Sequence, residues 1–239
     1  MENSFKAYCL CYNNCERKNK MTERFKQLDI DYTIYDGVSF SDKRIAEKSY
    51  KKCWSCMYGH LDMINMFYND ASVDFGIFCE DDILIHKDFA KILPTIIKDF
   101  KSLNLDVLLL GYLLCHNVEL LGSEFSIKSD KHSIKLDSNE FKYYNYSNDL
   151  WGSQMYILSK ENAGKLLEKY YNDYAMNTLI NTNLTPFSAD WTITKCGNKA
   201  LLYPCLSLEI DVGNYTNYDS QHIFHKMCFD FQFKSDTFI

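Results

Sequence analysis

Short apolar runs alternate with amphipathic stretches through the first half of the chain. Ala7 to Tyr12 predicts a buried strand, and the charged stretch after it carries Met21, Phe25 and Leu28 at i, i+4 and i+7, the spacing of one helix face. Asp31 to Tyr35 predicts a second strand, closed by the turn pair Asp36-Gly37. Trp54, Met57, Leu61, Ile64 and Tyr68 step by three and four, which predicts another helix. Phe75 to Cys79 is an apolar run that stops abruptly at Glu80-Asp81-Asp82. Phe89, Ile92, Leu93, Ile96, Ile97 and Phe100 then predict a strongly amphipathic helix, and Asp106 to Gly111 a further buried strand.

The second half is less regular. Phe125 to Lys128 and Ser133 to Leu136 alternate briefly and suit an excursion or hairpin. Met155 to Leu158 predicts a strand, and Ser159 an N-cap for a helix whose apolar face is Ala163, Leu166, Leu167, Tyr170 and Tyr174. Strands alternating with helices favour an α/β fold, a Rossmann-like mixed, mostly parallel sheet flanked by helices. Residues 1–239 are expected to form one domain, with 192–239 wrapping around it.

Composition narrows the function. The chain has 239 residues with 26 basic and 32 acidic side chains, a net charge of −6. That balance argues against nucleic acid as a partner, which calls for a basic stripe. Only three Pro and nine Gly exclude a collagen-like or Pro/Gly-rich disordered chain. The apolar run from Val107 to Cys115 is far too short to cross a bilayer, so no transmembrane segment is expected. Ten cysteines without a secretory leader read as reduced thiols of a cytoplasmic protein. Abundant Tyr, Phe, Lys, Asn and Ile suggest an AT-rich genome, that of a large DNA virus or a bacterium.

The main chemical signal is the triple acid at the end of a strand. Ligands of open α/β sheets bind beyond the carboxyl ends of the strands. Adjacent carboxylates repel unless a cation or hydrogen bonds compensate. A hard ion such as Mg²⁺ or Mn²⁺ selects oxygen ligands and often shares them with substrate phosphates. The bland alternative is a solvated turn. Asp190, beside Trp191, is either a helix N-cap or a general base. His60 is either a buried, hydrogen-bonded histidine or a group that touches phosphate or orients the acids. Arg17 leads a basic run after the first strand, where a phosphate can bind. Asp36 is either turn chemistry or a ribose or base contact. Cys53-Trp54-Ser55-Cys56 has redox or zinc spacing but no second pair in a suitable setting. His222 and His225 are candidates for a late metal ligand.

Several blocks carry a family resemblance. Phe78-Cys79-Glu80-Asp81-Asp82-Ile83 resembles the "(L)EDD(I/V)" signature of the family 25 glycosyltransferases, which include lipopolysaccharide sugar transferases and collagen galactosyltransferases. Cys56, His60 and Leu61 match the family's Gly-Cys-x-x-Ser-His-Leu block, with Ser55 and Gly59 in place of its Gly and Ser. Tyr8 to Arg17, Asp106 to Gly111, Gly152 to Leu167 and Ala189-Asp190-Trp191 are similar to further blocks, in the family's order, over about 8–191. The resemblance implies a GT-A fold and an inverting transferase that uses a UDP-sugar donor, a glycan or glycoprotein acceptor and a divalent cation. Under this scheme Glu80 and Asp82 are the expected metal ligands, Asp81 is held by hydrogen bonds or contacts the donor sugar, Asp190 is base or acceptor contact, and Arg17 stands at the family's basic position. His60 and, from its place after the second strand alone, Asp36 are the further donor-binding candidates. Two other readings stand beside it. One is a glycan- or nucleotide-sugar-binding relative with little turnover. The other is a metal-dependent phosphoryl-transfer enzyme, which would want an Asp where the chain has Glu80.

Overall fold

The computed structural model describes residues 4–137, 139–210 and 220–239. The chain runs β1 (Phe5–Leu10), α1 (Cys15–Gln27), β2 (Tyr32–Tyr35), α2 (Lys51–Asn69), β3 (Phe75–Glu80), β4 (Ile83–Ile85), α3 (Phe89–Ser102) and β5 (Val107–Gly111). It continues with β6 (Ser133–Leu136), β7 (Asn139–Tyr144), β8 (Met155–Ser159), α4 (Lys160–Tyr170), α5 (Tyr174–Thr178), α6 (Ala189–Thr192), β9 (Lys199–Tyr203), β10 (Ser207–Glu209) and α7 (Ser220–Gln232).

Among the described residues ten strands join one open sheet with the main order β2-β1-β3-β8-β5-β9-β7-β6. This is the mixed α/β sheet flanked by helices that the alternation predicts. β1 runs parallel to β2 and β3, and β5 parallel to β9. β8 lies between β3 and β5 and is antiparallel to both. β4 pairs with β10 off the main path.

The two faces of the sheet follow the period of two. Ala7 and Cys9 of β1, Ile77 and Cys79 of β3, and Met155 and Ile157 of β8 face one core with Met21 and Phe25 of α1 and the apolar stripe of α3. Tyr8, Phe78, Tyr156 and Leu158 face the other core with Trp54, Met57, Leu61 and Ile64 of α2 and Ala163 and Leu166 of α4. Burying each such Leu, Ile or Phe stabilises the fold by about 1.5–3 kcal/mol. In β3 a Cβ on Gly76 would lie 2.6 Å from Phe78 Cε2. The bare glycine leaves Phe78 free to stack between Tyr8 and Tyr156, with ring centroids 5.4 and 5.3 Å apart.

Three local expectations need correction. β1 starts and ends about two residues earlier than its apolar run, because its pairing stops where β2 ends at Tyr35 and β3 at Glu80. The partner of Ser133–Leu136 is β7 and not the stretch around Phe125, which forms a short 3-10 turn. Of the segment expected to wrap the domain, β9 and β10 lie in the sheet, and the last residues extend its edge, Ile239 and Ile85 exchanging backbone hydrogen bonds at 2.9 and 3.1 Å. Among the described residues no helix is long and apolar enough to cross a membrane.

Candidate active site

Glu80 is the last residue of β3, flanked by β1 through Leu10 and by the start of β8. Because β8 runs antiparallel to β3, the residues that lead into it stand beside the carboxyl end of β3. The Glu80 N–H donates to Gln154 O at 3.1 Å, and the Ser153 hydroxyl donates to Glu80 Oε1 at 2.8 Å. The acids thus sit at a strand terminus against a loop that enters from the opposite direction.

Asp190 reaches the same point from α6. Its Oδ1 accepts from the backbone N–H groups of Gly152 and Ser153, both at 3.1 Å, and lies 2.9 Å from Ser153 Oγ. The N-cap reading of Asp190 does not hold: it lies inside the first turn of α6, where Ser188 is the cap residue, and its carboxylate holds the 152–153 backbone instead. Burial, with the negative charge of Glu80 nearby, pushes the Asp190 carboxyl above its ordinary range.

His60 is buried on α2, with Nδ1 2.8 Å from the Tyr156 hydroxyl and Nε2 3.5 Å from Glu80 Oε1. Burial alone would raise the Glu80 carboxyl, but the His60 ring and the Ser153 hydroxyl outweigh it and hold Glu80 below its usual range. Cys56 lies one turn before His60, and its Sγ, a His60 ring nitrogen and a Glu80 oxygen all lie within 4.8 Å of one another.

On the outer side, Arg17 Nη1 donates to Asp81 Oδ1 at 3.1 Å and to Asp82 Oδ2 at 3.2 Å. Asn14 caps α1 by accepting from the Arg17 N–H at 3.0 Å, which fixes where the guanidinium starts. Asp82 Oδ1 is buried with no hydrogen-bond partner. Burial, then Glu80 and Glu209, push the Asp82 carboxyl up to about 8, against the pull of Arg17. Glu209 ends β10, and its Oε2 is 2.8 Å from His225 Nδ1 on α7. Glu80, Asp82 and Glu209 offer oxygen atoms only, whereas the ligand atoms that stand within 4.8 Å of one another among the described residues are those of Cys56, His60 and Glu80.

The fold therefore gathers Arg17, His60, Glu80, Asp81, Asp82 and Asp190. Asp36 stays apart, exposed at the end of β2 and paired with Lys18 Nζ at 2.9 Å. Sequence reasoning did not single out Ser153 or Glu209. Ser153 is the second residue of a matched block but carries no charge or spacing signal, and Glu209 lies where the periodicity fails.

The family model of glycosyltransferase family 25 (LPS biosynthesis protein) matches residues 12–180. That range includes Arg17, His60, the triple acid and Ser153 and ends before Asp190 and Glu209. No curated protein sequence matches the chain. Among solved structures, A197 from STIV is 14% identical, covers 83% of this chain and 81% of its own, and superposes with a TM-score of 0.43. A Bacillus anthracis protein assigned as a glucose-1-phosphate thymidylyltransferase, in complex with a sucrose, is 11% identical over 97% of this chain and 98% of its own, with a TM-score of 0.38. HddC from Yersinia pseudotuberculosis is 16% identical over 95% and 79%, with a TM-score of 0.35.

Proposed function

Because the chain belongs to glycosyltransferase family 25, we propose that it moves a hexose, galactose or glucose, from a UDP-sugar to a hydroxyl of a glycan, lipopolysaccharide or collagen-like protein, with inversion. The observation that carries this reading is that Asp190, distant in sequence, meets Glu80 and Asp82 around the carboxyl end of β3.

Asp82 and Glu80 would hold a Mn²⁺ or Mg²⁺ ion, with Glu209 beside Asp82 as a further oxygen donor. When bound, such an ion stabilises the charge that develops on a leaving diphosphate. Arg17 neutralises Asp81 and Asp82 and offers its guanidinium to the same anion. Asp190, its Oδ1 fixed by two backbone N–H groups, takes the proton of the attacking hydroxyl on its second oxygen. A carboxyl raised by burial is a better base near neutral pH than an ordinary aspartate. His60, held by Tyr156, orients Glu80. At the ends of β1 and β2 the exposed rings of Tyr12 and Phe40, 6.4 Å apart, give a nucleobase a face to stack on, with Asp36 nearby for ribose.

Calorimetry with UDP-, GDP- and CMP-sugars, each with and without Mn²⁺, tests the reading. It requires metal-dependent binding of a UDP-sugar together with transfer to an added acceptor. Binding of glycans without consumption of any nucleotide-sugar would favour the binding relative instead.

A further inference from the structure

A second group of ligand atoms lies on the inner side of the acid cluster, and it differs in kind from the all-oxygen set. Cys56 and His60 are one helical turn apart on α2 and project from the same side. Glu80 meets them from β3, with the three ligand atoms within 4.8 Å of one another. His60 is fully buried, and Tyr156 OH occupies its Nδ1 at 2.8 Å. Its Nε2 therefore points to Glu80 Oε1, 3.5 Å away, and has no hydrogen-bond partner.

A buried ring nitrogen 3.5 Å from a carboxylate oxygen, too far for a well-formed hydrogen bond, with a thiol in the same group, is an arrangement an ion would complete. Tetrahedral zinc with bonds of about 2.0–2.3 Å sets its ligand atoms about 3.3–3.8 Å apart. The Nε2 to Oε1 separation of 3.5 Å falls in that interval, and the Cys56 thiol, within 4.8 Å of the other ligand atoms, has to draw in as it binds. Zinc accepts thiolate, imidazole and carboxylate together, whereas Mg²⁺ and Mn²⁺ prefer oxygen. Tyr156 stands where a metal-bound imidazole normally has its outer hydrogen-bond partner.

We propose that Cys56, His60 and Glu80 form a site for a zinc-class ion. It rests on these residues alone and not on the sugar-transfer reading. The thiol proton leaves to solvent as the Cys56 thiolate binds. Cys53, the other half of the Cys-x-x-Cys spacing, is not a member. Glu80 belongs both to this group and to the proposed donor-metal ligands, so zinc bound here competes for it.

Cobalt(II) added to the purified chain is the probe, because a cobalt–thiolate bond gives an intense near-ultraviolet charge-transfer band that oxygen ligands do not. We expect the band at one equivalent, displaced by zinc, retained in Cys53→Ser and lost in Cys56→Ser and His60→Gln. A wild-type chain that gives no band, or a band that survives Cys56→Ser, overturns the proposal. Alkylation of the wild type, read by mass spectrometry, guards against a misfolded variant. Zinc should slow modification of Cys56 at least tenfold and leave Cys53 unchanged, and equal rates with and without zinc overturn the site. All these readouts are independent of donor binding and transfer, so either reading can fail without the other.

Discussion

Glu80 and Asp190 meet at a single hydroxyl: Ser153 Oγ is 2.8 Å from Glu80 Oε1 and 2.9 Å from Asp190 Oδ1. One hydroxyl has one proton, so it donates to one carboxylate at a time. The two carboxyls shift in opposite directions, Glu80 down and Asp190 up, which identifies Asp190 as the easier of the pair to protonate. Two acids with divergent proton affinities around one hydroxyl form a natural division between a fixed charge and a group that exchanges its proton.

Asp190→Asn keeps an oxygen to accept from Gly152 and Ser153 but cannot take a proton. Transfer should fall about 10²–10⁴-fold, the usual scale of general-base catalysis, while donor affinity stays near wild type. Initial rates at saturating donor, paired with calorimetry, check this. Wild-type rates in the variant would remove Asp190 from the reaction.

Asp82→Asn should abolish metal-dependent donor binding and leave the fold intact or slightly more stable. The substitution removes a carboxyl whose ionised form burial, Glu80 and Glu209 all oppose in the folded chain. Thermal unfolding and donor titration of the same preparation separate the two effects. Loss of cooperative unfolding would mean that Asp82 serves the fold.

Gly59 stands where the family block has serine, and a Cβ there would lie 2.6 Å from Leu10 Cδ1. Gly59→Ser should therefore cost about 1–3 kcal/mol through overpacking, more than the roughly half a kcal/mol that its better helix propensity returns. Leu10→Ala should relieve the clash, so the pair should couple favourably in a double-mutant cycle of denaturant unfolding. Additive effects would contradict this account.

His86 is buried between the rings of Phe141 and Phe238, and its Nδ1 accepts the Asp88 N–H at 3.1 Å. Burial holds its pKa below the ordinary histidine value. The unfolded chain therefore binds the proton first, so the stability that neutral His86 contributes is complete above about pH 6.5 and is lost as pH falls below it. The melting temperature of His86→Phe should gain on wild type between pH 7.5 and 5. A constant difference across that range would exclude His86 as a source of acid sensitivity.

The apolar periodicity located the early strands and helices well, because β1, α2, β3 and α3 are buried elements whose patterns match their geometry. It failed where pairing decides structure. β7, β9 and β10 are assigned by their partners, and nothing in Lys199–Tyr203 announces that it lies between β5 and β7. The acid cluster was legible because three adjacent carboxylates are rare at a strand end. Ser153 was not, since its importance arises only where the antiparallel β8 brings it beside Glu80.

That placement of β8 also bears on how the chain is made. β3 and β5 emerge early from the ribosome, yet the strand that joins them is Met155–Ser159, and Phe75 pairs with Ser159, 84 positions later. Until then the nascent chain carries two apolar strands with open edges, the condition that invites pairing with another chain. Translation that stalls before Met155 should therefore yield aggregates rather than a smaller folded product. The long closure should also make folding slow for a protein of this size.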